Sequence, residues 1–168
     1  MSRLDSFIRR LEAQRACLNL AAGLVRELEG DVLELGLGNG RTYDHLRELF
    51  PDRAVYVCER TVAAHPDCVP PSGCLLLGDM RQTLPDAGAW LAGRVVLAHL
   101  DPGSGDIGSS RALAGDLAPL IVPLLRSGGL LVSEPAVRLS ELNPLRLPAG
   151  VAPGRYNLYR RITPRLPP

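Results

Sequence analysis

The chain of 168 residues contains no lysine: all nineteen of its basic residues are arginine, and eighteen acidic residues leave a formal net charge of +1. A phosphate-binding P-loop requires a lysine after its glycines, and a Schiff-base or pyridoxal phosphate enzyme requires a lysine amine. The sequence therefore excludes nucleotide hydrolysis of the P-loop type and covalent catalysis by lysine.

Histidine is scarce, and the cysteines form no recognisable pattern. The three histidines do not have the spacing of an H-x-x-H or H-E-x-x-H zinc site, and the four cysteines include no C-x-x-C pair. Three of the cysteines lie in apolar runs, as reduced buried thiols do in cytosolic proteins: Cys17, Cys58 and Cys74. We predict no disulfide framework and no metal site.

Long hydrophobic runs are missing as well. No stretch reaches the roughly 18 apolar residues of a membrane-spanning helix, and the amino terminus lacks the apolar segment of a signal peptide. We therefore predict a cytoplasmic protein that does not associate with membranes. At 46% hydrophobic residues, the chain fits one compact domain. We divide this domain into an amino-terminal helix (1–29), a core (30–134) and a carboxyl-terminal extension (135–168).

Helix-like and strand-like segments alternate along this chain. The first helix is predicted from Leu4 to about Glu29. Arg15 interrupts its stripe of apolar residues, which consists of Leu4, Ile8, Leu11, Leu18, Ala22 and Val25. Five strand-like runs follow, at Val32–Leu35, Ala54–Cys58, Cys74–Leu77, Val95–Leu100 and Leu130–Ser133. Helical segments separate them, at Arg41–Phe50, around Asp86–Leu91, and at Ser110–Arg126. This alternation predicts an α/β fold in which helices flank a mainly parallel sheet.

The last strand-like run, Tyr156–Ile162, follows an irregular, proline-rich segment. A parallel crossover needs a dozen or more residues, usually a helix, and no such helix precedes this run. We therefore predict that this strand joins the sheet antiparallel at one edge.

The most informative motif is E-x-G-x-G-x-G, formed by Glu34, Gly36, Gly38 and Gly40 between the first strand and the next helix. An α/β sheet binds ligands at this position, beyond the carboxyl ends of its strands. A dinucleotide fingerprint would require a small residue at position 41, where this chain has Arg41. A carboxylate at Glu34 would also repel a pyrophosphate. The motif therefore points away from a dinucleotide, although a turn without a ligand is the simpler structural alternative.

Two further acidic residues end strands in the same region. Glu59 ends the second strand, where a carboxylate can accept hydrogen bonds from both hydroxyls of a ribose. Asp79 follows the third strand in Gly78-Asp79-Met80. The structural alternatives are a solvated strand end for Glu59 and a helix N-cap for Asp79.

Together these residues resemble the Rossmann-like, class I methyltransferases that depend on S-adenosyl-L-methionine. The segments 3–8, 36–51 and 154–160 also look like those of a small bacterial methyltransferase family without an established substrate. The resemblance implies S-adenosyl-L-methionine as cofactor. It places the methionine end against Glu34, Gly36, Gly38 and Gly40, the ribose against Glu59, and the adenine against Asp79 and Met80. Leu37 and Arg60 are further candidates for cofactor binding.

The groups that could contact a methyl acceptor lie at the ends of the fourth and fifth strands: His99 and Asp101 as catalytic candidates, and Glu134 as a substrate contact. Period-two alternation puts His99 and Asp101 on one face, so that one could orient or deprotonate the other. The alternatives are a hydrogen-bonded sheet histidine and a turn-forming aspartate. Methyltransferases that act on nucleic-acid bases have an aromatic residue after Asp-Pro-Pro, whereas Gly103-Ser104 follows Asp101-Pro102 here. We therefore predict a small-molecule acceptor rather than a nucleic acid.

The first helix and the extension supply further candidates. Gln14 or Arg15 could reach a carboxylate of the cofactor or acceptor, although Arg15 could equally pair with the protein's own acids or lie at a subunit contact. Residues 138–168 carry six arginines and one acid, which could contact an anion or protect an edge strand. Homo-oligomer formation stays open. The functional alternative to an enzyme is a binding module that retains the cofactor without transferring its methyl group.

Overall fold

One seven-stranded sheet runs through the part of the chain that the computed structural model describes, residues 2–101 and 107–163. Its strands are β1 (Asp31–Leu35), β2 (Val55–Glu59), β3 (Leu75–Leu77), β4 (Val95–Leu100), β5 (Leu125–Ser133), β6 (Leu142–Pro144) and β7 (Asn157–Arg161). The helices are α1 (Arg3–Leu24), α2 (Arg41–Leu49), α3 (Met80–Leu91) and α4 (Ile107–Ile121).

The strand order is β3-β2-β1-β4-β5-β7-β6, with β1 to β5 parallel and β7 antiparallel to β5. These observations confirm the predicted α/β class and the antiparallel strand at this end of the sheet. The sequence did not predict β6, which pairs antiparallel on the outer side of β7. Because β6 has only three residues and includes Pro144, it has little strand signal of its own.

The two faces of the sheet are covered by different helices. The buried apolar residues form two hydrophobic clusters, one on each face of the sheet. In β1, Leu33 and Leu35 pack in the cluster that includes residues of α3 and α4, whereas Val32 packs in the cluster that includes residues of α1 and α2. Glu34 shares the face of Val32, because side chains alternate between the faces of a strand. Among the described residues, no helix is long and apolar enough to span a bilayer.

Three helices differ from their predicted limits. Helix α3 begins at Met80 rather than near Asp86, because the Asp79 carboxylate accepts a hydrogen bond from the Arg81 backbone at 2.9 Å and caps the helix. Helix α4 ends at Ile121. Pro123 follows two residues later and has no backbone N–H group with which to continue the helical hydrogen bonds. Helix α1 ends at Leu24 and gives way to turns that precede β1.

The buried face of α1 also differs from the predicted stripe. Leu4 and Ile8 of that stripe are exposed, while the residues that face the sheet are Ala13, Cys17, Leu18 and Ala21. Most of these side chains are small, which lets the helix lie close to the sheet. Arg15 is exposed, so it does not interrupt the buried stripe as the sequence suggested.

A glycine before β1 generates a stability prediction. Gly30 has φ +142°, and a Cβ atom there would lie 2.1 Å from the carbonyl oxygen of Arg94. We expect Gly30→Ala to lower the free energy of unfolding by at least about 2 kcal/mol, measured by chemical denaturation. Gly23→Ala is the control, because a Cβ there meets nothing within 4 Å. It should leave stability unchanged or raise it by about 0.5 kcal/mol. Equal effects of the two substitutions would contradict this account.

Candidate active site

The glycine motif forms a tight turn between β1 and α2. Gly38 has φ +51° and Gly40 has φ +87°, backbone conformations that other residues rarely adopt. At Gly40 a Cβ atom would lie 2.3 Å from the Cβ of Cys68. Gly40 is therefore required by the close approach of the loop that contains Cys68, and it is not among the described residues that line the two cavities beyond the strand ends.

Glu59, at the end of β2, holds this turn from the neighbouring strand. Its Oε2 accepts hydrogen bonds from the backbone N–H groups of Leu37 at 2.8 Å and Gly38 at 3.1 Å. Its Oε1 accepts from those of Arg60 and Thr61. Burial opposes ionisation, but these four hydrogen bonds outweigh it and lower the pKa of Glu59. The carboxylate therefore stays charged and holds the glycine turn in place.

Two adjoining cavities lie beyond the carboxyl ends of the strands. The first, of about 340 Å³, is lined by predicted residues that include Gln14, Glu34, Gly36, Leu37, Gly38 and Asp101. The second, of about 350 Å³, is lined by residues that include Arg60, Asp79 and Leu113. Glu59 and Met80 line both. The structure thus brings together most of the predicted cofactor residues, whereas Arg15 lines a different cavity.

At the second cavity, Asp79 has two structural partners. Its carboxylate caps α3 through the Arg81 backbone, and Arg60 donates to it at 3.0 Å. The Arg81 hydrogen bond is the main cause that lowers the pKa of Asp79. Asp79 therefore caps α3, as the structural alternative predicted, and it also lines the cavity.

Glu34 and His99 lie side by side in the centre of the sheet. The parallel register pairs Glu34 of β1 with His99 of β4, and both side chains are buried under α1. The distance from His99 Nδ1 to Glu34 Oε2 is 2.7 Å. Burial alone would lower the pKa of His99, but the adjacent Glu34 carboxylate outweighs it and the net shift is upward. Burial raises the pKa of Glu34 in turn, although the adjacent His99 partly opposes this shift.

Tyr156, just before β7, is the hydrogen-bond partner of the second ring nitrogen of His99. Its hydroxyl lies 2.6 Å from His99 Nε2, accepts from Gln14 Nε2 at 3.0 Å, and lies 3.4 Å from Asp101 Oδ2. If both nitrogens of His99 carry protons, the ring donates to Glu34 and to the tyrosine oxygen, and the tyrosine hydroxyl donates to Asp101. A protonated His99 therefore satisfies every one of these contacts, in agreement with the direction of its pKa shift.

Asp101 occupies the wall of the first cavity at the end of β4. Arg10 Nη2 lies 2.7 Å from its Oδ1, and Gln14 Nε2 donates to its Oδ2 at 2.9 Å. Arg10 Nε also lies 3.5 Å from Glu134 at the end of β5. Arg10 thus joins two of the predicted catalytic candidates. Residues 102–106 lie outside the described residues, and they include Pro102, Gly103 and Ser104, which follow Asp101 in the sequence.

His99 and Asp101 do share a face of β4, but the hydroxyl of Tyr156 lies between them. His99 is 0% exposed and does not line the cavity. The sequence did not predict that Arg10 and Tyr156 contact these side chains. The tyrosine had no local signal, because its partners lie more than fifty residues away. For the arginine, a helical wheel centred on Ala13, Cys17 and Ala21 would have placed Arg10 on the inner side of α1, since residues three and four apart share a face.

The fold is that of a class I methyltransferase, and comparison with known proteins agrees. The profile of a family described as S-adenosyl-L-methionine methyltransferase matches residues 1–161. The chain belongs to this family. A search of curated proteins gave no match.

Two solved structures illustrate the similarity. The chain is 46% identical to an S-adenosyl-L-methionine methyl transferase from Silicibacter pomeroyi DSS-3, with a TM-score of 0.92 over 96% of this chain and 99% of that one. It is 21% identical to CalS10, an amino pentose methyltransferase from Micromonospora echinaspora solved with S-adenosyl-L-methionine bound. That match has a TM-score of 0.50 and covers 80% of this chain and 58% of CalS10, so it supports the fold alone.

These comparisons confirm three predictions: the methyltransferase class, S-adenosyl-L-methionine as cofactor, and an enzyme. They identify no methyl acceptor.

The buried pair generates a prediction about pH. Because the folded-state pKa of His99 is raised above its ordinary 6.5, its contribution to stability is complete below that value and is lost as the pH rises through the raised pKa. We expect the free energy of unfolding to fall above pH 6.5, by up to about 1.4 kcal/mol per pH unit. Denaturation at several pH values measures this slope.

His99→Gln is the matched variant, because it removes the titrating group. Its stability should depend less on pH over the same range, although its absolute stability will be lower. If the wild type and this variant showed the same slope, or if the imidazole resonances of His99 in NMR titrated below pH 6.5, the assignment of a protonated His99 would be wrong.

Proposed function

We propose that the two adjoining cavities hold S-adenosyl-L-methionine from end to end. Glu34 and the backbone at Gly36, Leu37 and Gly38 would bind the methionine end. The observation that supports this most directly is that Glu59 and Met80 line both cavities, because a ribose must lie between the amino-acid and adenine ends of the molecule.

In the second cavity, Asp79, Arg60, Met80 and Leu113 would contact the adenine. An aspartate can accept a hydrogen bond from the adenine amino group, and the apolar side chains of Met80 and Leu113 can pack against the ring. Arg60 would act by orienting Asp79, since the two form an ion pair at 3.0 Å.

Glu34 is suited to the cationic part of the cofactor. His99 engages its Oε2, and no described residue engages its Oε1. A buried carboxylate with one oxygen directed at a cavity is a favourable partner for an ammonium group. When bound, the cofactor supplies a methyl group on a sulfonium for in-line displacement, and the residues of this chain act mainly by holding donor and acceptor in line.

Asp101 would contact the acceptor, whereas His99 would act as a positioning residue. Asp101 lines the cavity next to the methionine end, and Arg10 and Gln14 fix its orientation. His99 is enclosed between Glu34 and Tyr156, and holds both of them by hydrogen bonds. We propose a small-molecule acceptor, because Gly103 and Ser104 offer no aromatic side chain on which a nucleic-acid base could stack.

Substitution of Glu59 tests the cofactor site. Calorimetry should show that S-adenosylhomocysteine binds the wild type and that Glu59→Gln binds it at least about tenfold more weakly, because a charge-assisted acceptor is lost. Glu48→Ala, on the exposed face of α2, should bind as the wild type does. Binding of NAD instead of S-adenosylhomocysteine would overturn the proposal.

Because Glu59 also holds the glycine turn, a second ligand separates its two roles. The 2′-deoxy analogue of S-adenosylhomocysteine lacks one ribose hydroxyl. If Glu59 binds the ribose, the wild type should discriminate between the two ligands and Glu59→Gln should not. An unchanged discrimination in the variant would restrict Glu59 to holding the turn.

Methyl transfer is tested by labelling. With S-adenosyl-L-methionine carrying a tritiated methyl group, the wild type should label a component of a small-molecule extract. Asp101→Asn should slow this labelling at least about tenfold and bind S-adenosylhomocysteine nearly as well as the wild type, because the acceptor contact is the one that is lost. Equal losses of labelling and cofactor binding would assign Asp101 to the cofactor instead.

A further inference from the structure

A third cavity, on the opposite side of Arg10 from the cofactor site, carries an excess of positive charge. It measures about 280 Å³ and is lined by residues from α1, α4, the segment after β5 and the segment before β7. The charged residues in its wall are Arg10, Arg111, Arg155 and Glu134. We call it the arginine pocket.

The arginine pocket adjoins the proposed methyl-donor end of the site. Arg10 lines both the arginine pocket and the first cavity, and it joins Asp101 of the first cavity to Glu134 of the arginine pocket. Beyond Arg10, the pocket extends over the ends of β5 and β7, on the side of β4 away from the proposed ribose and adenine site. A molecule bound there would have one end next to Arg10.

The arginines of this pocket differ in their partners. Arg10 is neutralised by Asp101 and Glu134. Within residues 2–101 and 107–163, Arg111 and Arg155 form no ion pair. Two guanidinium groups at one concave surface, neither of them paired with a carboxylate among the described residues, favour an anion. The planar fork of arginine matches carboxylate and phosphate oxygens in particular.

The backbone around the pocket is held by hydrogen bonds. The side chain of Asn157 donates to the carbonyl oxygens of Ser133 and Glu134, which ties the end of β5 to β7. The Arg155 N–H donates to the Ala152 carbonyl at 3.2 Å, in a turn where Gly154 has φ +80°. Arg155 therefore extends from an ordered turn. Pro135 and Ala136 add an apolar wall.

We infer that the methyl acceptor is a small anionic molecule, whose carboxylate or phosphate group binds Arg111 and Arg155 in the arginine pocket while its reactive atom lies next to Arg10 and Asp101. This inference rests on the proposed function and names the acceptor class for the same site. It also gives a function to part of the arginine excess of residues 138–168, which includes Arg155.

The first test uses anions of known structure on the full chain. Malonate and inorganic pyrophosphate are titrated in a buffer without other multivalent anions, with and without S-adenosylhomocysteine. We expect saturable binding of at least one of them, and the one that binds more tightly distinguishes a carboxylate from a phosphate. The Arg111→Ala/Arg155→Ala double variant should bind it at least about tenfold more weakly, because two charge-assisted contacts are lost.

Arg26→Ala is the matched control, because Arg26 is exposed just after α1 and lines none of these cavities. It should bind the anion as the wild type does. Affinity for S-adenosylhomocysteine should be unchanged in both variants, which separates this inference from the cofactor site. Absence of saturable anion binding to the wild type, or an equal loss in Arg26→Ala, would overturn the inference.

The second test repeats the labelling experiment after the extract has been separated by charge. The tritiated methyl group should enter the fraction retained by an anion-exchange resin, and the double variant should need at least about tenfold more extract for the same rate. Label confined to neutral or cationic small molecules, to protein or to RNA would overturn the inference. If S-adenosylhomocysteine fails to bind the wild type, the proposed function fails independently of the anion result.

Discussion

The buried pair of Glu34 and His99 is the constraint around which the site is built. A carboxylate in the middle of a sheet is costly unless a partner compensates it, and here the register of β1 against β4 provides an imidazole at 2.7 Å. The imidazole then requires a partner for its second nitrogen, which Tyr156 supplies. The tyrosine in turn meets Gln14 of α1 and Asp101 of β4. One unfavourable burial thus fixes contacts among β1, β4, α1 and the segment before β7.

The same chain of contacts connects the proposed cofactor side of the site to the proposed acceptor side. Glu34 faces the first cavity, and Asp101 lies at the other end of the sequence of hydrogen bonds. Arg10 then links Asp101 to Glu134 and separates that cavity from the arginine pocket. Because Glu34, His99 and Tyr156 are buried, the protein core sets the geometry between the proposed donor and acceptor sides.

The sequence predicted the fold and most of the residues that line the two cavities better than the contacts around Asp101, for a physical reason. Glycines, strand-end acids and apolar alternation are local signals, so Gly38, Glu59 and Asp79 could be recognised from their positions along the chain. Tyr156 and Arg10 could not, because their roles depend on residues that only the folded sheet brings near. Arg15 became a candidate site residue because it interrupts the predicted apolar stripe of α1. The buried face of α1 is rotated relative to that stripe, so that Arg10 lies on the inner side and Arg15 is exposed. The three residues of β6 have no detectable pattern by themselves, since their pairing is provided by β7.

The position of Tyr156 also has a consequence for biosynthesis. During translation, His99 and Asp101 are synthesised before the tyrosine, so the hydroxyl that contacts both of them comes from a later part of the chain. A chain truncated before Tyr156 would lack the hydroxyl that joins His99 to Asp101.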